Sequence, residues 1–389
     1  MRRPAVTIVT PSFNQGEFIR ATIESVLAQD YPELQYIVMD GGSTDQTAAI
    51  VAEYAGRLMW ICEKDRGQAH AINKGFAMAQ GEIVAWLNSD DILLPGAVRC
   101  AVDAFAAAPA QVGAVYGEGY RMDREGKITG RFRATEPFNL WKLVYLSDYV
   151  LQQSAFFRRA AVEEVGWLDE SLHYALDWDL LIRLGKHFGL YYVPDYLGVL
   201  REYPDAKSFS GGRARIAEIR RVLERHTGLM RAPGYWTYSL DALQWRWRCD
   251  LERHAPGPSR HLARLAGFPP RAAIAVVVAL VHRHAQGLYK DRWASDRLKW
   301  MVPEGRGEVT VTGSVPPSPR LGGQTLVAVV GGRELGRWKV GPGRFQFRFP
   351  RSQGAGAFLF EVHASRYKRP RIGSELSWRR MAWILESIE

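Results

Sequence analysis

Apolar residues along the first ninety positions alternate between two periods. Val6 to Val9 is a β-branched run, and behind it Ile19, Ile23, Val26 and Leu27 fall on one helical face. Tyr36-Ile37-Val38-Met39 is a second buried run, followed by Ile50, Val51 and Tyr54 at helical spacing. Leu58 to Ile61 predicts a third strand, Gly67 to Ala79 a helix, and Glu82 to Leu87 a fourth strand. Asn14 with Glu17, and Ser43 with Gln46, have capping-box spacing ahead of two of these helices. Strands alternating with helices predict parallel β-α-β units and an open α/β sheet. Ligands on such sheets bind beyond the carboxyl ends of the strands. The polar clusters fall there: Thr10-Pro11-Ser12-Phe13-Asn14, Asp40-Gly41-Gly42-Ser43, Asp65-Arg66-Gly67-Gln68 and Asn88-Ser89-Asp90-Asp91.

Further on the pattern changes twice. Residues 116–210 are mixed, with a hairpin expected around Arg124-Glu125-Gly126, a strand at Ser154 to Phe157 and a helix from Asp177 to Lys186. A helix from Arg213 to His226 follows, with Gly228 as its stop signal. Residues 229–304 read as a partly helical linker or subdomain rich in Trp and Arg. From 305 to 389, Phe345, Phe347 and Phe349 alternate with polar residues, and Gly and Pro pairs separate short strands. That predicts a small all-β, sandwich-like domain. The expected domains are therefore 1–228, 229–304 and 305–389.

Composition narrows the class. A chain of 389 residues with 47% hydrophobic and 24% charged residues is globular. A formal net charge of +10 suits nucleic acid, anionic lipid or phosphorylated substrates. Cys62, Cys100 and Cys249 make neither a disulfide framework nor a metal-type spacing, which favours a reducing compartment. The apolar run after Arg2-Arg3 is too short for a signal peptide, and Ala272 to Val281 is too short to span a bilayer. A cytoplasmic chain is the expectation. Trp236, Trp245 and Trp247 lie among Arg246, Arg248, Arg253 and Arg260, which reads either as a packed helical subdomain with a basic face or as a peripheral contact with anionic membrane. No recognition motif supports nucleic acid as a partner.

Asp90 and Asp91, at the end of a buried strand, repel one another unless something compensates. Asp90 could turn the chain and Asp91 cap a helix. The alternative is a divalent cation site, since Mg²⁺ or Mn²⁺ takes one or two carboxylates plus substrate phosphates. Asp40 could accept a hydrogen bond from a nucleobase N–H, and the following glycines let a ligand approach the backbone.

Five segments in order carry a resemblance: TIVTPSFNQGEFIRATIESVLAQ, IVMDGGSTDQT, EKDRGQAHAINKGF, WLNSDD and GWLDESLHYALDWDLLIRL. Together, over roughly residues 5–210, they resemble the family 2 glycosyltransferases of GT-A fold. The resemblance implies a bacterial-type enzyme of polysaccharide biosynthesis. It would be inverting and metal-assisted, with a UDP-, dTDP- or GDP-sugar donor and a glycan or lipid-linked acceptor. It implies a nucleotide-sugar site of Pro11, Ser12, Phe13, Asn14, Asp40, Asp65, Arg66, Gln68, Ser89, Asp90 and Lys207. Asp90 and Asp91 would carry the metal, Mg²⁺ or Mn²⁺, because Asn88 replaces the first aspartate of the family's Asp-X-Asp motif. Asp177 matches the catalytic base, with Leu176 where relatives often have Glu. Trp178 reads either as core or as an acceptor platform, Asp179 as a solvated helix residue, and His70 as packing or surface. Tyr203 fills the place of a family histidine that can touch metal, leaving Arg201 or Lys207 to meet the phosphates.

A sugar nucleotidyltransferase would need a Gly-rich phosphate loop with a basic residue, which Thr10 to Gly16 lacks. A glycoside hydrolase would need two opposed carboxyl groups and no nucleotide site. A non-catalytic carbohydrate-binding protein using the C-terminal β domain is the alternative of a different class.

Overall fold

The computed structural model describes residues 3–207, 211–230, 232–240 and 242, and the strand segments 293–294, 297–302, 308–315, 324–330, 333–350, 358–365 and 383–388. The chain divides into two compact units, Met1–Phe138 with Asp148–Met230, and Asn139–Ser147 with Arg231–Glu389.

The first unit is built on one mixed sheet. Its opening half runs β1 (Val6–Ser12), α1 (Ile19–Leu27), β2 (Leu34–Asp40), α2 (Thr47–Ala52), β3 (Met59–Cys62), α3 (Gln68–Ala77) and β4 (Ile83–Trp86). Then come β5 (Ile92–Leu93), α4 (Ala97–Ala107), the hairpin strands β6 (Ala114–Met122) and β7 (Ile128–Arg131), and α5 (Leu140–Tyr145), which belongs to the second unit. β8 (Ala155–Arg158), α6 (Arg159–Val165), α7 (Leu176–His187), β9 (Leu190–Arg201) and α8 (Gly212–Thr227) complete it. The order across the sheet is β3-β2-β1-β4-β8-β6-β9-β5, with β7 paired to β6. β1 is parallel to β2 and β4, and β2 to β3, whereas β8 runs antiparallel to both β4 and β6.

Register sets up the site. Ser12 lies opposite Asp40 and Asp40 opposite Cys62, so three strand ends share one edge. All seven residues of β1 are buried. The apolar stripes of α1 (Ile19, Ile23, Val26) and α4 (Val98, Ala101, Val102, Phe105) pack with Val6, Ile8, Val38 and Ala85. Phe76 of α3 stands edge-on to Trp86, which stacks on Phe157 at 5.2 Å between ring centroids. Each such fully buried side chain contributes roughly 1.5–3 kcal/mol. No helix among the described residues is long and apolar enough to cross a membrane.

In the second unit, β10 (Trp293–Ala294), β17 (Trp383–Ile388), β12 (Glu308–Val315) and β15 (Gly343–Pro350) form one sheet. β11 (Arg297–Val302), β16 (Phe358–Ala364), β13 (Gln324–Val330) and β14 (Arg333–Val340) form the other. Val309, Val311, Phe347 and Phe349 from the first meet Leu326, Ala328, Val340 and Val362 from the second in one core. The alternation of buried and exposed residues along β12 is the period-2 pattern of a sheet with one face in that core.

Three expectations are corrected. Neither capping box forms. α1 begins after Phe18 with no side-chain cap, because Asn14 spends its Oδ1 on the backbone N–H of Thr44 and Glu17 pairs with Arg124. At α2 the amide of Thr47 donates to Asp45, while Ser43 donates its hydroxyl to Asp40. β strands start at Trp293, ahead of the boundary expected at 305. Much of the expected helical segment 229–304, including Trp245, Trp247 and Ala272 to Val281, lies outside the described residues. Trp236 is described, and is 47% exposed.

Candidate active site

A cavity of about 460 Å³ opens at the carboxyl edge of the first unit's sheet. Its walls include Pro11, Ser12 and Phe13 from the end of β1, Asp65 and Gln68 at the start of α3, and Ser89, Asp90 and Asp91 after β4. Gln152, Gln153, Asp177, Tyr203 and Lys207 close the other side. Asn14, Asp40, Arg66 and Trp178 are not among the residues lining it.

On the β1 side the backbone turns are held by side chains. Asn14 adopts a left-handed conformation (φ 52°), its N–H donates to Ser43 Oγ, and its side chain takes the amide of Thr44. Asp40 is 1% exposed and accepts from the Ser43 amide and hydroxyl through Oδ1. Its Oδ2 and the neighbouring Ser12 Oγ are buried with no hydrogen-bond partner. Buried polar atoms are rarely left so. A Cβ on Gly41 would come within 2.6 Å of Asp65 Oδ2. Only glycine therefore lets the Asp65 carboxylate lie this close to the β2 turn. Phe13 is 60% exposed at the rim. Arg66 is turned away to an exposed ion pair with Glu170.

The two adjacent aspartates have different surroundings. Asp91 is 1% exposed and both oxygens are occupied. Oδ1 accepts from the Arg201 amide at 2.9 Å, and Oδ2 from Gln153 at 2.6 Å and Asn88 at 3.1 Å. Burial, then the charge of Asp90, raises its pKa against those bonds. Three of the lone-pair sites of Asp91 thus serve the protein, more than the one side-chain donor that Asp90 receives. Asp90 gives only Oδ2, to the Tyr203 hydroxyl at 2.9 Å. Burial raises its pKa, and the Tyr203 bond and the charges of Arg201 and Lys207 oppose that. Arg201 lines the cavity and also holds the backbone around it. Its guanidinium donates to the carbonyls of Asp90, Asp123 and Arg124 and lies 4.8 Å from the Phe18 ring centroid. Lys207 also faces the cavity and donates to Gln68 Oε1 at 2.6 Å, while Gln68 donates to Asn88. Burial draws its pKa down to about 8, against the pull of Asp177, Glu218 and Asp90.

Asp177 sits in the first turn of α7 and accepts from the Trp178 amide at 2.9 Å. Burial raises its pKa, which moves a carboxylate toward the range where it can take a proton near neutrality. Asp148 stands near enough that burial, then the charge of Asp177, pushes its own carboxyl far above the usual range. Trp178 is 2% exposed, so it is core and offers no ring face to an acceptor. Asp179, expected on a solvated surface, is fully buried among Arg183, Arg225 and His226. His70 accepts the Arg66 amide and is half-buried.

Gln152, Gln153, Asp148 and Glu218 escaped the sequence reading. The glutamine pair carries the same signal as Asn88-Ser89-Asp90-Asp91, a polar pair abutting a buried strand. Glu218 is a charge within an apolar helical stripe of Ile219, Val222 and Leu223.

The glycosyl transferase family 2 model matches residues 7–166. An uncharacterized glycosyltransferase of Mycobacterium tuberculosis is 33% identical over 183 residues, covering 46% of this chain and 68% of that protein. This chain belongs to glycosyl transferase family 2. Escherichia coli chondroitin synthase is 30% identical over 188 residues, which is 48% of this family 2 chain and 27% of the synthase. The chain likewise spans 28% of the length of a Rickettsia bellii glycosyltransferase. A mannosyltransferase from Pyrobaculum calidifontis, solved in complex with GDP-Man and Mn²⁺, shares the fold at 20% identity and a TM-score of 0.50. That likeness covers 72% of this chain and 87% of the mannosyltransferase. The open mixed sheet is the GT-A arrangement of the family.

Proposed function

We propose that the first unit transfers a sugar from a nucleoside-diphosphate sugar to an acceptor hydroxyl with inversion at the anomeric carbon. The observation that carries this reading is the meeting of Asp90, Lys207 and Asp177 on the walls of one cavity. The donor would lie with its base near Asp40, whose unpaired Oδ2 can accept an N–H from the base, and its diphosphate near Asp90 and Lys207.

A divalent cation fits this donor set in one way only. Among the described residues no group of three or more His, Cys, Asp or Glu is placed to hold a metal. Of the adjacent pair, Asp90 is the less committed, with one side-chain donor against three for Asp91, so a cation at Asp90 would complete its shell with diphosphate oxygens, as Mg²⁺ commonly does. Such an ion supplies charge to the departing diphosphate. A relative in fold was solved with GDP-Man and Mn²⁺, in keeping with this chemistry.

The chain's own groups do the rest. Asp177 takes the proton of the acceptor hydroxyl as its oxygen bonds to the anomeric carbon. The bond from that carbon to the diphosphate breaks on the opposite face, and its electron pair leaves with the nucleoside diphosphate. Lys207 donates hydrogen bonds to the diphosphate oxygens where charge builds. Release of nucleoside diphosphate from a panel of UDP-, dTDP- and GDP-sugars, with glycan or lipid-linked acceptors and with Mg²⁺, Mn²⁺ or chelator, tests the reading. We expect one donor to be consumed in an acceptor-dependent, chelator-sensitive way, with an inverted linkage by NMR. Binding of glycan without consumption of any donor would favour a carbohydrate-binding protein instead.

A further inference from the structure

Asp177 lies in the first turn of a helix whose N-cap residue, Ala175, has no side chain able to cap it. The loop leading into it is held from elsewhere in the chain. The backbone N–H groups of His173, Tyr174 and Ala175 converge on the carboxylate of Glu218, from α8, at 2.9, 2.5 and 2.8 Å. Oε1 accepts from Tyr174 and Ala175, and Oε2 from His173. Glu218 is 4% exposed, and His173 and Tyr174 line the cavity beside Asp177. A Cβ on Gly211, at the start of α8, would fall 2.5 Å from the Tyr174 ring, so the helix presses directly on this loop. Asp179 ties α7 to α8 a second time, through His226 and Arg225. The second tie fixes how the two helices pack. The Glu218 tie fixes the loop that leads into Asp177.

We propose that Glu218 is a positioning residue for transfer, holding residues 173–175 so that the Asp177 carboxylate meets the acceptor hydroxyl. This inference rests on the reading of Asp177 as the base. Three amides aimed at one carboxylate fix the loop in both translation and rotation. A neutral amide in the same place cannot do so. In Glu218→Gln one of the two accepting oxygens becomes an NH₂ group, which faces a backbone donor with another donor. The side-chain volume stays, and the donor-binding loops around Asp40 and Asp65 are untouched.

The test compares wild type, Glu218→Gln and Asp177→Asn in the holoenzyme with its donor and acceptor. We expect the kcat of Glu218→Gln per folded molecule to fall about 10-fold or more, the scale on which a misplaced catalytic group costs rate. Nucleoside-diphosphate affinity should stay within about twofold on the same argument, and amide hydrogen exchange should quicken at residues 173–175. Should the Gln variant fail to fold, Glu218→Asp, which keeps the charge but is one methylene short, carries the same measurements and the same expectation. A wild-type kcat per folded molecule overturns the inference. So does a loss of nucleotide affinity in step with kcat, which would mark a merely structural residue. Wild-type transfer by Asp177→Asn overturns the base reading itself. An inactive Asp177→Asn beside a wild-type Glu218 variant overturns this inference alone.

Discussion

At the ends of β2 and β3 the carboxylates are anchored close to home. Asp40 takes the amide of Ser43, three residues on, and Asp65 the amide of Gly67, two residues on. After β4 and before α7 the anchors span the chain. Asp91 takes the amide of Arg201 across 110 residues and the side chain of Gln153 across 62. Glu218 reaches back across 43 to 45 residues to the loop before Asp177. A turn closed by its own residues survives many changes elsewhere. A carboxylate held by distant strands and helices fails when any of them shifts. The turns after β2 and β3 are therefore expected to tolerate substitution in their surroundings better than the Asp91 corner and the loop before Asp177 do.

The largest effect should come from Asp177→Asn, which keeps size but cannot take a proton. Transfer should fall about 10²–10⁴-fold, the usual range for a general base, with nucleotide affinity retained by calorimetry. Next is Asp179→Ala. Burial alone would raise the pKa of Asp179, but His226 and Arg183 outweigh it and hold the value at about 2. Removing this carboxylate takes the carboxylate partner from Arg183 and His226, while Arg225 keeps Asp169 and Arg183 its backbone carbonyls, and should cost about 3 kcal/mol in urea melts. Because its folded pKa is depressed, the wild-type stabilisation is complete above the unfolded value of about 4 and is lost as pH falls toward 2.

Lys207→Met should raise the donor KM by about 10- to 100-fold, the worth of a charged hydrogen bond. The Lys207 ammonium, with its pKa near 8, loses its proton as pH rises. In wild type, kcat/KM for donor should therefore fall above about pH 8, and Lys207→Arg, charged throughout, should flatten that limb. Smallest should be Arg66→Ala. Its ion pair with Glu170 is exposed, so stability should change by less than about 1 kcal/mol. A large rise in donor KM for that variant would return Arg66 to the diphosphate site and blur the contrast between the two regions.

The sequence showed the β-α-β half clearly because β-branched runs and helical stripes are local signals, and so are the Gly and Asp turns at the strand ends. β2 to β4 lie within a residue or two of the expected runs, and β1 starts at the expected Val6 but runs three residues further, to Ser12. Both capping boxes misled, since Asn14, Glu17 and Ser43 have side chains that serve partners outside their own turn. Trp178 was ambiguous because an aromatic residue beside a base looks the same in sequence whether it faces the cavity or the core. Asp91 could not be told from Asp90 in sequence. What separates them is which one Arg201 and Gln153 reach, and that depends on how β9 and β8 enter the sheet. Glu218 was hidden for the same reason.

The Asp91–Arg201 bond also has a consequence for how the chain acquires its structure. Until β9 docks, Asp90 and Asp91 stand side by side without the amide, the Gln153 side chain or the Tyr203 hydroxyl that settle them. Closing a loop of that length is slow compared with forming the hairpins and helices within it. During synthesis the early strands can pair as they emerge, while the acidic corner waits for residues that arrive more than a hundred positions later. The acidic corner is thus completed by the contact of longest sequence separation at Asp91, the Arg201 amide.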